Sequence, residues 1–478
     1  MSRIAILEKY KKMSVVSKAT LWFMISSFIQ KGLSFVVTPI FTRLLTQEQY
    51  GLYSVFSSWL QILAIISTFR LDYSVFNKGM SKYPDKRDEY TSSMLGVTTI
   101  ITTIMLIGYL IFAKQINAMT ELSFVVMMAL FVELYARAAV NFWSLRERYE
   151  FHYKNVVAYT LIVAILNSGL SILAVIMFED KGVARILAGA LVHAVGGIII
   201  FMLLLKRGKK LWNFEFAKFA VTFNIPLIPH YFSTYIIEQA DRIMIQKLVS
   251  FEAAALYSVG YTIGGMVKIF TAALTNTLIP LQYNLLGNKQ YDELGKNIKS
   301  IMLAMVGLVV MVAAAGPEIV LILGGESYLA ARAVIPAVAS SVYFSFLYTL
   351  LANIEFYFDK NKFAMKISVV GAIANVVLNF AFIPVFGYVA AAYTTLFSYV
   401  IYAVGHIIYV NRILMSQETS ISFPVGFLLK LGALSVVASV LIGLLYDYFI
   451  IRCLLVAVIC LVVLYNREFL IRLLKKNK

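Results

Sequence analysis

The chain has 478 residues, 60% of them hydrophobic and 14% charged, with a mean hydropathy of +0.81. Its apolar residues come in runs near twenty long, the length that crosses bilayer hydrocarbon as a helix, which excludes a soluble globular domain and a barrel of short alternating strands. Forty-two Lys and Arg against 25 Asp and Glu give a net charge of +17, but these cations lie in short clusters between apolar runs rather than in the one stripe that nucleic acid requires.

In chain order, the first nineteen residues are polar and basic (Arg3, Lys9, Lys11, Lys12, Lys18), and no small-residue cleavage site closes the apolar run after them. That run is read as a retained first helix, with Ile4, Leu7, Met13 and Val16 giving the leader a weak apolar side against the membrane surface. Runs bounded by charge, Gly and Pro predict fourteen spans, at 20–41, 52–70, 92–112, 120–142, 156–178, 184–205, 219–240, 254–279, 300–323, 333–355, 365–385, 389–410, 425–445 and 448–466. Hydrocarbon offers no water to backbone amides, so each run must close its own hydrogen bonds as a helix. The expected fold class is an all-α polytopic membrane protein.

Cytoplasmic loops carry the excess of Lys and Arg, so alternate sides of the fourteen spans can be tallied. Thirty-one cations fall on the side of both termini and eight on the other, namely Arg43, Lys114, Lys181, Arg242, Lys247 and Arg332 together with Arg185 and Arg452, which stand near the ends of their spans and are counted with the loops; Lys31, Arg137 and Lys268 lie inside spans. Both termini are therefore placed in the cytoplasm, where anionic lipid headgroups are the fitting partner. The outward loops are the shortest. They leave no room for a soluble catalytic domain, and no GxxxxGK[ST] loop, DxD or Cys/His cluster is present, so neither an enzyme activity nor a cofactor or metal is expected. Cys453 and Cys460, seven apart in the last span, read as packing residues.

An internal repeat divides the chain. At an offset of 204, Glu48, Leu52, Tyr53, Ser54 and Val55 meet Glu252, Leu256, Tyr257, Ser258 and Val259. Asn167 and Leu170 pair with Asn375 and Leu378, and Val183-Ala184 with Val389-Ala390, at offsets of 206 to 208. Spans 1–6 thus recur as 7–12; six is even, so the copies share one orientation about an axis along the membrane normal. The expected domains are 1–205, 206–411 and a C-terminal pair of spans with a basic tail, 412–478. A substrate path between the two lobes follows.

A cation inside an apolar helix costs about 3 kcal/mol on insertion scales and persists where it faces protein, water or an anion. In span 1, Ser27, Gln30, Lys31, Ser34 and Thr38 form a polar stripe at helical spacing. Lys31 lies roughly 16 Å from either end at the helical rise, too deep to reach the surface fully. It faces either water or ligand, or carbonyls and a carboxylate of a neighbouring helix. In span 4, Glu133, Arg137 and Asn141 at i, i+4 and i+8 allow Glu133 to pair with Arg137 as a structural lock; the alternatives are a ligand role for Arg137 and proton or Na⁺ exchange at Glu133. In span 7, Pro226 breaks the helix ahead of His230, Thr234, Glu238 and Asp241 on one face. Asp241 is the other candidate for ion coupling, and His230 is either a packing residue or a switch. In span 8, Tyr257, Tyr261, Gly264, Lys268, Thr271 and Thr275 make a second stripe suited to hydroxyl and phosphate oxygens, although Gly260 and Gly264 on that face equally suit a close helix contact. Arg70 and Asp72, at the end of span 2, form a solvated pair or a first capture point for an anion. His193, His406 and Glu318 have no partner by spacing.

Arg43-Leu44-Leu45-Thr46-Gln47-Glu48-Gln49-Tyr50-Gly51-Leu52-Tyr53-Ser54 resembles the pattern after the first helix of polysaccharide transporters, the Wzx-type flippases. Asn224-Ile225-Pro226-Leu227-Ile228-Pro229-His230 with Ala240-Asp241-Arg242 is similar to their seventh-helix pattern, and Tyr257-Ser258-Val259-Gly260-Tyr261 to the start of their eighth. The resemblance covers most of residues 18–411. It implies the fold of the multidrug/oligosaccharidyl-lipid/polysaccharide superfamily, two six-helix lobes around a central cavity that opens alternately to each side. It implies a substrate of undecaprenyl-pyrophosphate-linked oligosaccharide moved to the outer leaflet of a bacterial cytoplasmic membrane, by a monomer working beside polymerase machinery. Lys31, Lys268, Arg137, Gln30, Tyr257, Tyr261, His230 and Arg70 are then the candidate substrate contacts. A peptidoglycan-precursor flippase and a cation-coupled drug exporter of the same superfamily are the alternatives; the exporter should favour intramembrane carboxylates, where this chain has mostly cations.

Overall fold

The computed structural model describes residues 13–417 and 423–465, without the side chains of Lys31, Ser34, Ala273, Asn361 and residues 459–465. The basic leader up to residue 12, the basic tail beyond residue 465, the Lys31 side chain and that of Cys460 lie outside the described residues.

All regular structure among the described residues is helical. In chain order the helices are α1 (Val15–Leu44), α2 (Gln47–Thr68), α3 (Ser74–Lys82), α4 (Arg87–Ile111), α5 (Ala113–Thr120), α6 (Phe124–Tyr149), α7 (Tyr153–Met177), α8 (Lys181–Gly208), α9 (Phe214–Asn224), α10 (Ile228–Leu248), α11 (Phe251–Gly287), α12 (Tyr291–Ala314), α13 (Gly316–Gly324), α14 (Ile335–Tyr357), α15 (Asn361–Phe386), α16 (Tyr388–Gln417), α17 (Val425–Leu444) and α18 (Phe449–Tyr465). Their starts follow the sequence. Thr46 caps α2 in a capping box with Gln49, and Ser123, Asn213 and Ser250 accept from the first-turn amides of α6, α9 and α11.

Among the described residues, twelve helical stretches are long and apolar enough to cross a membrane, and each matches an expected span. The two remaining spans differ for visible reasons. Around Pro226, which has no amide proton to donate, the seventh becomes α9, a 3₁₀ turn over Ile225–Leu227 and α10. The last, α18, offers a described apolar stretch of only Phe449–Val458. The ninth expected span ends early, with α13 as a separate short helix after Ala315.

The chain forms two compact units, Met1–Phe232 and Ser233–Lys478. In the first, α8 packs along α6 and α7, and α1 lies against α7. Small residues set the α6–α8 approach: a Cβ on Gly197 would sit 2.5 Å from Ala136 Cα. In the second, α14 is buried along nearly its whole length by α11, α12, α15, α16 and α17. Gly260 and Gly264 of α11 sit against Ala331, Val334 and Val338, so that face is a close contact with α14 and the turn before it.

Candidate functional site

Polar groups of the second unit gather around α10 and α11. Lys268 Nζ donates to Glu238 Oε1 at 3.0 Å and lies 3.4 Å from the Tyr261 hydroxyl. Its ammonium also sits 5.6 and 5.7 Å from the ring centres of Tyr261 and Tyr399. Both ends of the ion pair remain partly open, 28% and 39% exposed. Arg242, assigned to an outward loop by the charge tally, is instead on α10, its guanidinium 4.7 Å from the Tyr261 ring and its Nη1 donating to the Glu238 carbonyl at 2.8 Å. One aromatic ring thus lies against two cations. The hydroxyls of Thr271 and Thr275 turn back to carbonyls of their own helix.

Tyr257 goes elsewhere. Fully buried, it donates to Asp241, which also accepts from Asn379 Nδ2 at 2.7 Å and Thr395 Oγ1 at 2.6 Å. Asn375 donates to Thr395 at 3.0 Å, and Thr394 to Asn379, so this network ties α10, α11, α15 and α16 together. The face of span 7 is therefore divided: Glu238 meets Lys268, Asp241 enters the buried network, and half-buried His230 lies beside Tyr231, ring centres 5.8 Å apart.

In the first unit Glu133 accepts from Arg137 Nε at 2.8 Å, as the i, i+4 spacing allows, and meets His193 Nδ1 at 2.7 Å. Glu133 is buried, while Arg137 is 44% exposed. Gln30 is exposed on α1.

Arg70 occupies a strained turn. Phe69 and Arg70 both take left-handed backbone angles, φ 49° and 50°, which branched or bulky side chains disfavour. The Asn224 amide donates to both carbonyls, at 2.9 and 2.7 Å. The guanidinium lies 4.8 and 5.4 Å from the rings of Tyr73 and Tyr231, and 3.8 Å from Asp72. This pair is not solvated: the side chains are 15% and 11% exposed. Burial raises the Asp72 carboxyl above its ordinary range, against the opposing pull of Arg70.

Several charges read as solitary or loop-borne have partners. His193 meets Glu133; His406 Nδ1 meets Glu355 Oε1 at 2.6 Å; Glu318 takes two bonds of 2.7 Å from Arg452. Arg452 is a buried residue of α18 and Arg185 a buried residue of α8, with its guanidinium 3.7 and 3.5 Å from the rings of Phe41 and Tyr53. More than three cations therefore lie within helices of this kind. Cys453 is exposed rather than packed. A polar cluster at the end of α6 was not foreseen: buried Glu147 accepts from Arg207 at 2.7 Å and Asn155 at 3.3 Å beside a cavity of about 490 Å³. In the Asp241 network, the i, i+4 pair Asn375 and Asn379 in an apolar span is a sequence signal that the stripes missed.

The family model for polysaccharide biosynthesis proteins matches residues 16–285, more than half of the chain. The chain belongs to the polysaccharide biosynthesis protein family. Among relatives of this family member, a protein of the Lsg locus of Haemophilus influenzae is 25% identical over 373 residues, covering 76% of this chain and 90% of its own. "Probable low-salt glycan biosynthesis flippase Agl15" of Haloferax volcanii is 22% identical over 444 residues, 91% of this chain and 90% of its own. The fold is similar to that of the lipid II flippase MurJ in an inward closed conformation, with a TM-score of 0.63 at 15% identity over 94% of this chain and 100% of the other. It is also similar to an inward-facing multidrug resistance MATE family transporter of the MOP superfamily, with a TM-score of 0.60 at 12% identity over 82% and 96%.

Proposed function

We propose that this polysaccharide biosynthesis protein is a flippase that carries undecaprenyl-pyrophosphate-linked oligosaccharide repeat units from the inner to the outer leaflet of a bacterial cytoplasmic membrane, by alternating access of two six-span lobes (1–205 and 206–411). The observation that carries this reading is Lys268, a cation on a membrane-spanning helix, partly open and held by Glu238 and two tyrosine rings rather than sealed in a core. A pyrophosphate cannot cross hydrocarbon bare; it needs fixed positive charge and donors in place of water. An incoming phosphate oxygen replaces the Glu238 carboxylate on an ammonium already in place, with Tyr261 beside it for sugar or phosphate oxygens. Lys31 and Gln30 of the first unit, Arg137 and the Arg70 turn are the further cationic and polar contacts assigned to the path, with Tyr257 and His230 at its borders. Outward movement of negative charge across a membrane negative inside is favoured by about 2.3 kcal/mol per charge per 100 mV. Glu133 and Asp241 are the carboxylates this reading assigns to an exchanging cation.

Deletion of the gene followed by mass spectrometry of the accumulating lipid-linked oligosaccharides tests the reading and names the sugar. Loss of a dispensable surface polymer with a lipid-linked repeat unit trapped inside is expected, and Lys31→Gln and Lys268→Gln, inserted normally, should fail to restore export. Lethal lysis would point to a peptidoglycan precursor, and normal export by both variants would refute the binding role.

A further inference from the structure

The second unit holds a buried acid–base pair that the transport reading leaves unused. Glu355 on α14 and His406 on α16 meet at 2.6 Å, with side chains 0% and 3% exposed. Glu355 Oε2 is buried with no hydrogen-bond partner. The charged side chains on the elements around it are Glu252 and Lys268 on α11, Asp292, Glu293, Lys296 and Lys299 on α12, Lys362 and Lys366 on α15, Arg412 on α16 and Lys430 on α17, and among the described residues none forms an ion pair with Glu355. Rings face His406 instead: Tyr348 stacks at 5.8 Å and Phe363 stands edge-on at 6.0 Å. Tyr402, against Tyr348, gives its hydroxyl to the Ser368 carbonyl.

The Glu133–His193 pair of the first unit shows what is missing. There, Arg137 supplies a permanent charge, so ionised Glu133 with neutral His193 already sums to zero. Glu355 has no such cation. Its pair is neutral only while it holds one more proton, as imidazolium with carboxylate or as imidazole with carboxylic acid, and an uncompensated charge at this burial is costly.

We propose that Glu355 and His406 together bind one exchangeable proton, and that this proton site takes part in the transport cycle. Release passes the proton to water and leaves a neutral imidazole whose Nδ1–H donates to the carboxylate; rebinding restores the neutral pair, and no other bond changes. Tyr348 stacks on Tyr399 at 6.2 Å, and Tyr399 is the ring against which Lys268 lies. Negative charge left on the pair therefore stands behind the Lys268 cation. Arrival of an anion at Lys268 favours the proton-bound pair, and its departure favours release. This second half rests on the proposed function.

The site is read without substrate by infrared difference spectroscopy of the full-length protein in lipid vesicles, titrated across pH. Wild type should show a carboxylic-acid or imidazolium band that disappears as pH rises, missing in Glu355→Gln and shifted in midpoint by His406→Gln and by Glu355→Asp. Identical titrations in wild type and a folded Glu355→Gln overturn the site; should that variant not fold, an unshifted midpoint in Glu355→Asp does the same. The transport role is read with farnesyl pyrophosphate as probe in vesicles bearing a pH gradient. Its movement should respond to the gradient in wild type and lose that response in Glu355→Asp or Glu355→Gln, whereas an unchanged response overturns the role. Failure of wild type to bind farnesyl pyrophosphate sinks the proposed function and with it the transport role, while the infrared titration still decides the proton site.

Discussion

Lys268 and Glu238 allow the binding reading to be separated from a structural one, because the two members of the ion pair should respond in opposite directions. The ammonium–carboxylate contact is 3.0 Å, a charge-assisted hydrogen bond worth about 1.5–3 kcal/mol when well shielded. Exposures of 28% and 39% put its contribution to stability nearer 1 kcal/mol, since solvent screens the pair. A phosphate oxygen taking the place of Glu238 gains the same class of bond. Lys268→Gln should therefore weaken binding of farnesyl pyrophosphate by about 10- to 150-fold, taking 1.4 kcal/mol as tenfold. Lys268→Arg keeps the charge and should retain most of the affinity. Glu238→Gln removes the competing carboxylate, and should bind the probe at least as tightly as wild type while lowering the thermal midpoint slightly. Titration calorimetry in detergent at one fixed low salt concentration measures all four proteins. Equal weakening by Lys268→Gln and Glu238→Gln would mean that binding senses the integrity of the pair rather than the cation, and an unaffected Lys268→Gln would refute the contact outright.

Three further outcomes follow from the geometry. A Cβ on Gly96 would sit 1.6 Å from the Leu211 carbonyl oxygen, a backbone atom that cannot swing aside, so Gly96→Ala should cost about 3 kcal/mol or more and lower the melting temperature followed by size-exclusion chromatography of heated samples. Asn224→Ala removes both donors from the left-handed turn at Phe69 and Arg70, and a loss of about 1–3 kcal/mol should appear in the same assay; Asn224→Asp, which has no amide to donate, should not rescue it. Because burial holds the Asp72 carboxyl above its ordinary value in the folded protein, stability should fall as pH rises from that ordinary value through the raised folded one; Asp72→Asn should flatten this part of the stability–pH curve, and an unchanged curve would refute it.

The helical class and the order of twelve apolar spans were legible because backbone in hydrocarbon has a single economical solution, and apolar length reports it directly. Pro226 announced the break in the seventh span for an equally local reason. Partnerships across helices were not legible. Glu133 and Arg137 are one turn apart and could be paired by counting, whereas His193 reaches the same carboxylate from 60 residues away. Arg185 and Arg452 were assigned to loops because they sit near the ends of apolar runs; aromatic faces and the Glu318 carboxylate let both be buried in helices. Spacing also could not tell Tyr257 from Tyr261. They are one turn apart on α11, yet Asp241 of α10 lies beside the first, while the second stays with Lys268 two turns along its own helix.

Compensation, rather than the bare presence of charge, then becomes the property that sorts these residues. Asp241 is held by three neutral donors, none of which carries a charge to set against its own. Glu133 is balanced by a permanent guanidinium and can stay ionised through any proton exchange at its histidine. Lys268 is balanced by a carboxylate that is itself partly open, so an anion of stronger charge and better acceptor geometry can take its place. Glu355 has only a histidine. If anion movement and proton movement are coupled in this fold, the coupling needs one site whose counter-charge can be exchanged and one whose charge can be switched off, and in the second unit Lys268 and Glu355 have those two characters, with Tyr399, Tyr348 and His406 packed in a row between them.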